Sequence, residues 1–330
     1  MNFQKYDQEL ATALQAVREA ARVCRHVQAA IGPGVMEKQD RSPVTIADFA
    51  SQAVICRTLD ATFSNDPIIG EEDSAELSQS KNEPLVDRIA DVLQHFETGI
   101  ERPDIFRWID RGSSQSAADR FWTLDPIDGT KGFLRGGQYA ISLAMLVESR
   151  IEVAVVGCPN LTIQTQQGEK TGVIFFAVRG EGAWAIPQDG NAEPTQVRVS
   201  ETTESSLARF CESVESGHTA HEISSQVAER LNITAPPIRM DSQAKYAAVA
   251  RGEADIYMRL PTRPDYREKI WDHAGGCLVV EEAGGRVTDV FGKPLDWSHG
   301  HELSANRGVI VTNGHLHDRV IETLAELEVS

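Results

Sequence analysis

In Phe121-Trp-Thr-Leu-Asp125-Pro-Ile127-Asp128-Gly129-Thr130 an apolar strand runs straight into two aspartates, a proline and a Gly-Thr turn. Pro126 fixes φ and removes an amide hydrogen, and Gly129 admits backbone conformations that other residues resist. Both Asp side chains and the Ile127 carbonyl can therefore converge on one point. Carboxylate and carbonyl oxygens are the ligands that a hard cation such as magnesium takes. Asp-Pro and Asp-Gly pairs are also ordinary turn formers, so each aspartate taken alone is more simply a turn residue.

Downstream of this turn the texture is that of a sheet meander. Apolar runs at 140–147, 151–156, 173–178 and 182–186 are divided by Gly, Asn and Pro turns. Upstream, Leu10, Leu14, Val17, Ala21 and Val27 recur at helical spacing over 4–31, and Gly32-Pro33-Gly34 stops the pattern. A second helix is expected from Thr45, carrying Asp48, Ala53, Ile55 and Leu59. A short buried strand at 67–70 ends in Glu71-Glu72-Asp73. The polar stretch 74–118, with helical spacing around Leu85, Ile89 and Leu93, reads as an insertion without a core role, its charged loop at 111–116 facing water.

The last third alternates strands near 209–212, 238–241, 256–260 and 309–312 with helices near 221–231, 245–250, 272–283 and 315–327. This order implies a layered α/β fold. At 330 residues the chain exceeds the size at which one core stops growing, so two joined halves are expected, 1–187 (α+β) and 188–330 (α/β).

Thirty-two basic residues against 49 acidic ones leave a net charge of −17. That field repels nucleic acid and anionic membranes. An anionic metabolite would bind only where metal ions or a few placed Lys and Arg reverse the sign of the pocket. Cys24, Cys56, Cys158, Cys211 and Cys277 stand far apart with no CxxC pair, which argues against a zinc knuckle or disulfide framework and fits a reducing cytosol. No apolar run approaches the roughly 18 residues of a membrane span. His218 and His221 lack the pattern of a zinc site, and Gly132-Phe-Leu-Arg-Gly-Gly lacks the spacing of a P-loop or dinucleotide fingerprint.

Further acids stand where elements end or begin: Glu71 after a buried strand, and Asp272 at an Asp-His-Ala-Gly-Gly helix opening. Each has an unremarkable alternative. Glu71 and Glu72 could form a solvated loop, Asp272 could answer a helix dipole, and Thr45 to Asp48 matches a capping box. Their joint occurrence favours metal, because several carboxylates in one pocket repel one another unless divalent cations relieve the conflict.

Pro43-Val-Thr-Ile-Ala-Asp48, Ile69-Gly-Glu71-Glu72-Asp73-Ser74, Asp125-Pro-Ile-Asp128-Gly-Thr130 and Trp271-Asp272-His-Ala-Gly-Gly276 occur in the order seen in the lithium-sensitive inositol monophosphatase superfamily, which the chain resembles over nearly its whole length. The strings from Phe121 through Gln138 to Tyr139, and Asp241-Ser-Gln-Ala-Lys245-Tyr, resemble its 3'(2'),5'-bisphosphate nucleotidase branch. The resemblance implies a layered α/β/α/β/α sandwich of the inositol monophosphatase and fructose-1,6-bisphosphatase type, with the site between a metal-binding and a nucleotide-binding half. It implies Glu71, Asp125, the Ile127 carbonyl, Asp128 and Asp272 as ligands of two or three magnesium ions. It makes Asp48 and Thr130 catalytic, orienting the attacking water. His218, Ser242, Lys245 and Arg259, with Thr130 and Asp272, would contact substrate.

The activity so implied is hydrolysis of adenosine 3',5'-bisphosphate, with its phosphosulfate relative as a further candidate substrate, to release phosphate by in-line attack of a metal-activated water. That would place the chain in sulfur metabolism. The same metal motifs would serve an inositol phosphate phosphatase, since only the distal pocket differs. A sensor that binds nucleotide or magnesium without turnover is a third reading, opposed by the presence of both Asp48 and Thr130. Oligomeric state has no signal in the sequence.

Overall fold

A computed structural model of the chain describes residues 3–31, 42–75, 77–114, 118–190, 192–214, 221–261, 263 and 265–329. Helix α1 (Asp7–Ala29) buries Leu10, Ala13, Val17, Ala20, Ala21, Cys24 and Val27, a stripe recurring every three or four residues. It packs on α2 (Ser42–Thr62), which begins before Thr45. Asp48 therefore lies inside the helix, and the capping-box alternative at Thr45 falls away.

Strands β1 (Ile68–Gly70), β2 (Arg120–Asp128), β3 (Ala140–Val147), β4 (Arg150–Thr165), β5 (Gly168–Val178), β6 (Ala183–Pro187) and β7 (Thr195–Gln196) lie side by side in chain order in one sheet. β1 and β2 are parallel, and from β2 onward every pair is antiparallel, the expected meander. The second sheet contains β8 (Phe210–Glu212), β9 (Ile238–Arg239), β10 (Ile256–Arg259), β11 (Arg286–Thr288) and β12 (Val309–Thr312), in the order β11-β12-β10-β8-β9.

Strand alternation sorts the core into layers. Ile141, Leu143, Met145, Val153, Val155, Ile174 and Phe176 face α1 and α2. Ala140, Ala144, Ala154, Val156, Val173 and Phe175 face the other way, onto α7 (Ala244–Ala250) and α8 (Ala274–Glu282). Those helices are covered in turn by Tyr257, Val309 and Val311 of the second sheet, whose opposite face, with Ile256, Met258 and Ile310, packs on α6 (His221–Arg230) and α9 (His317–Glu326). The result is helix, sheet, helix, sheet, helix, as the resemblance implied.

The expectation for 74–118 is corrected. Its helices α3 (Glu83–Phe96) and α4 (Arg102–Asp110) bury Val86, Ile89, Leu93, Ile105 and Ile109 in the same cluster as α1 and α2. The polar composition belongs to their outer faces, and a narrow apolar stripe suffices to dock a short helix. Arg111 is half-buried rather than wholly in water: it donates to Asp60 Oδ1 at 2.8 Å and to the Ser64 and Asp66 carbonyls at 2.7 Å, tying down the chain that leaves α2, while Ser113 is exposed and 115–116 lie outside the described residues. Strands β7 and β11, too short to show a period, had no sequence signal. Among the described residues no helix is long and apolar enough to cross a membrane, and all five cysteines are buried and unpaired.

Candidate active site

Glu71, Asp125, Ile127, Asp128, Thr130, Ser242, Lys245, Arg259 and Asp272 line one pocket of about 330 Å³ at the junction of the two sheets. These positions lie up to 201 residues apart in the chain. Asp48 stands off the lining, buried on α2, yet its charge is felt by Asp125. His218 lies outside the described residues. A larger cavity of about 530 Å³, beside the far end of the β4–β5 hairpin, contains none of the expected site residues.

The geometry of the Asp-Pro-Ile-Asp turn comes from an irregularity in β2. Asp125 pairs with Ser142 and Asp128 with Ala140, so three steps on β2 oppose two on β3. Residues an odd number of steps apart on a regular strand point to opposite faces. The extra residue of the bulge restores the phase and brings both aspartates to the pocket. The chain then turns through Gly129 at φ +89° into the short helix α5 (Thr130–Leu134). A Cβ on Gly129 would lie 2.9 Å from the Ser242 Cβ, so the absent side chain is what lets the 241–242 loop close over the turn.

Crowding of acids dominates the electrostatics. Burial, reinforced by Glu72 and Glu71, pushes the Asp48 carboxyl well above its ordinary range. Burial, then Glu71 and Asp128, does the same to Asp125. Glu71 opens to solvent at the pocket mouth but is flanked by protein mass on its other sides, and that burial, with Asp272 and Glu72, raises it to about 8. Burial and Asp272 raise Asp128 to about 6, although Lys245, Arg259 and the Gln243 amide favour its charged form. Asp48 Oδ1 and Asp125 Oδ1 are buried with no hydrogen-bond partner among the described residues. Buried orphan carboxylate oxygens in native proteins call for an explanation, and a bound cation is one. The donor set, all hard oxygen, fits magnesium.

The cationic side of the pocket is supplied by the second half. Lys245, fully enclosed, donates from Nζ to the Ser242 carbonyl at 2.8 Å and stands 5.1 Å over the Tyr257 ring. Burial lowers its pKa, opposed by Asp128. Arg259 ion-pairs with Glu268 at 3.2 Å and stands 4.0 Å from Asp272. Burial works against its charge, but Glu268, Tyr257 and Asp272 outweigh that and hold it firmly ionised.

Several residues of the site escaped the sequence. Ser213, Asp241 and Tyr266 also line the pocket, and Arg135 donates to Asp241 at 2.5 Å, linking the end of α5 to the opposite half. Glu268, Asp272 and His273 stand close enough to share an ion, but Glu268 is already engaged by Arg259 and His273, and His273 by Tyr246. Glu268 and His273 thus form a closed network behind the pocket, and of the three only Asp272 lines it. Aspartates before Pro or Gly announce themselves; a glutamate whose role is to brace an arginine nine residues away does not.

Comparison with known proteins gives a consistent picture. A model of the inositol monophosphatase family matches residues 3–328. The chain is 43% identical to the 3'(2'),5'-bisphosphate nucleotidase of Schizosaccharomyces pombe, covering 97% of this chain and 96% of that protein, and 40% identical to its namesake from Emericella nidulans, covering 98% and 99%. Among solved structures, Mycobacterium tuberculosis SuhB aligns with a TM-score of 0.64 at 20% identity over 99% of both chains. CysQ from Bacteroides thetaiotaomicron aligns at 0.61 and 20% identity over 94% and 99%. At that identity these structures speak for the fold.

Proposed function

Because the chain belongs to the inositol monophosphatase family, we propose that it is a 3'(2'),5'-bisphosphate nucleotidase, a phosphoric monoester hydrolase that converts adenosine 3',5'-bisphosphate to AMP and phosphate. The observation that carries the reading is a single pocket in which Glu71, Asp125, Asp128 and Asp272 face Lys245 and Arg259. An acid cage alone would repel a bisphosphate; cations set against it make a site for two phosphates. The near full-length identity to nucleotidases selects this substrate over an inositol phosphate.

Glu71, Asp125, the Ile127 carbonyl, Asp128 and Asp272 would hold magnesium, two or three ions as the family resemblance implies. When bound, magnesium supplies neutralisation of the phosphate charge and acidification of water. Asp48 and Thr130 take the proton of the attacking water as its oxygen bonds to phosphorus, and the bond to the ribose 3' oxygen breaks on the opposite side. The leaving oxygen takes a proton from solvent and ends as the 3' hydroxyl of AMP. Lys245, Arg259, Ser242 and His218 hold the nucleotide, so residues 1–187 contribute most of the metal-holding groups and 188–330 the nucleotide contacts. Five buried thiols support a reducing compartment such as the cytosol.

Phosphate release by the purified protein from adenosine 3',5'-bisphosphate with magnesium, set beside inositol 1,4-bisphosphate, tests the reading. Turnover of the nucleotide at a much higher kcat/KM is the expected result. A preference for the inositol phosphate, or no release from either, would overturn it.

A further inference from the structure

Gln243 does not line the pocket, is 1% exposed, and nonetheless touches the supports of three of its carboxylates. Its backbone N–H donates to Asp128 Oδ2 at 2.5 Å. Its side-chain Oε1 accepts from Ser142 Oγ at 3.1 Å, and Ser142 is the β3 residue paired with Asp125. The same oxygen accepts from the Gly276 N–H at 3.0 Å, while Nε2 donates to the Trp271 carbonyl at 2.9 Å, on the peptide that leads into Asp272. One side chain thus pins β3 of the first sheet to the start of α8, and does so on both sides of the acid cluster.

The surroundings leave this arrangement little slack. Ser242, immediately before it, has φ +69°, a left-handed conformation costly for a residue with a side chain. A Cβ on Gly275 would come within 2.4 Å of Ser142 Oγ, and one on Gly276 within 2.3 Å of the Tyr246 ring. The start of α8 is therefore pressed against β3 and α7, with the amide of Gln243 filling the polar seam between them. The primary amide offers both an acceptor for Ser142 and Gly276 and a donor for Trp271.

We propose that Gln243 is a positioning residue that sets the separation of Asp125, Asp128 and Asp272 and thereby the pocket's affinity for divalent cations. The proposal rests on the reading of those carboxylates as magnesium ligands. A core amide of merely structural value would lower stability on replacement and leave ion affinity alone. A positioning residue changes ion affinity in a folded protein, since groups that orient metal ligands are typically worth about 10–100-fold in affinity.

The test uses the full chain, with magnesium binding measured by calorimetry without substrate, and melting temperature measured in parallel. Gln243→Met keeps the length and removes all three side-chain hydrogen bonds. Ser142→Ala removes one of them, is gentler, and decides the matter if the first variant does not fold. We expect magnesium affinity to fall about tenfold or more in Gln243→Met and about threefold in Ser142→Ala. Folded variants that melt lower but bind magnesium within about twofold of wild type would overturn the proposal. If wild type binds magnesium but hydrolyses no bisphosphate, the nucleotidase reading fails and the binding comparison still decides the role of Gln243. A wild-type chain that binds no magnesium removes both.

Discussion

Arg259 Nε stands 3.2 Å from Glu268 Oε2, both largely buried, so one edge of the guanidinium is taken by the protein and the other faces the pocket. Glu268 is itself held by His273 at 3.1 Å, and His273 by the Tyr246 hydroxyl at 2.6 Å. Burial resists its charge, yet His273 and Arg259 keep its carboxyl below the usual range. Glu268→Gln leaves Arg259 to turn toward Asp272. The expected outcome in steady-state kinetics is a KM for the bisphosphate raised about tenfold with kcat changed far less, the mark of lost ground-state binding. A fall in kcat with KM unmoved would remove Glu268 from this role.

Asp125→Asn takes a charge from the centre of an overcrowded cluster. Turnover should drop at least about a hundredfold, because a ligand that neutralises the ions is gone. The metal-free protein should melt no lower than wild type, since the substitution relieves repulsion from Glu71, Asp128 and Asp48. Near wild-type phosphate release by this variant would sink the assignment of Asp125 as a magnesium ligand.

The raised carboxyls predict an unusual pH response. Folded, Glu71 titrates at about 8 and Asp128 at about 6, each above its ordinary value. Between ordinary and raised values the folded chain binds more protons than the unfolded one, so stability from these groups is fully present at low pH and is lost as pH climbs through about 6 and about 8. His317, lowered to about 4 by burial, acts in the opposite sense but only below its ordinary 6.5. In chelator the melting temperature should therefore decline from about pH 6.5 to about 8.5, while the increment gained on adding magnesium should grow over that window. A magnesium increment that shrinks with rising pH is the contrary result.

Ile109 on α4 is fully buried against the cluster that contains α2. Ile109→Ala should cost about 2–5 kcal/mol in urea unfolding, the range for a large core aliphatic. A cost near zero would return 74–118 to the status of a dispensable insertion.

Much of this was written locally in the sequence. The run 140–147 coincides with β3 residue for residue, because a strand buried on both faces reads as a near-continuous apolar run, interrupted here by Ser142. The apolar pattern predicts a strand ending at 156, but β4 extends to Thr165, where its hairpin with β5 projects and polar side chains erase the signal. The acids were legible because each follows or opens an element; the pocket they share was legible only through their order. Gln243, Tyr266 and Glu268 were not, since the meaning of each is a set of partners, and those of Gln243 lie 28 to 115 residues away. The buried stripe of 74–118 was masked by the polarity of the helices that carry it.

The bulge in β2 carries a lesson about transplanting such chemistry. On an undistorted ribbon the two acids would need one intervening residue to project together; here two intervene, and the spacing works only because the ladder slips between them. Grafting the four letters onto a flat scaffold would send one aspartate to the wrong side. The interval between the acids is a coded instruction for a backbone defect.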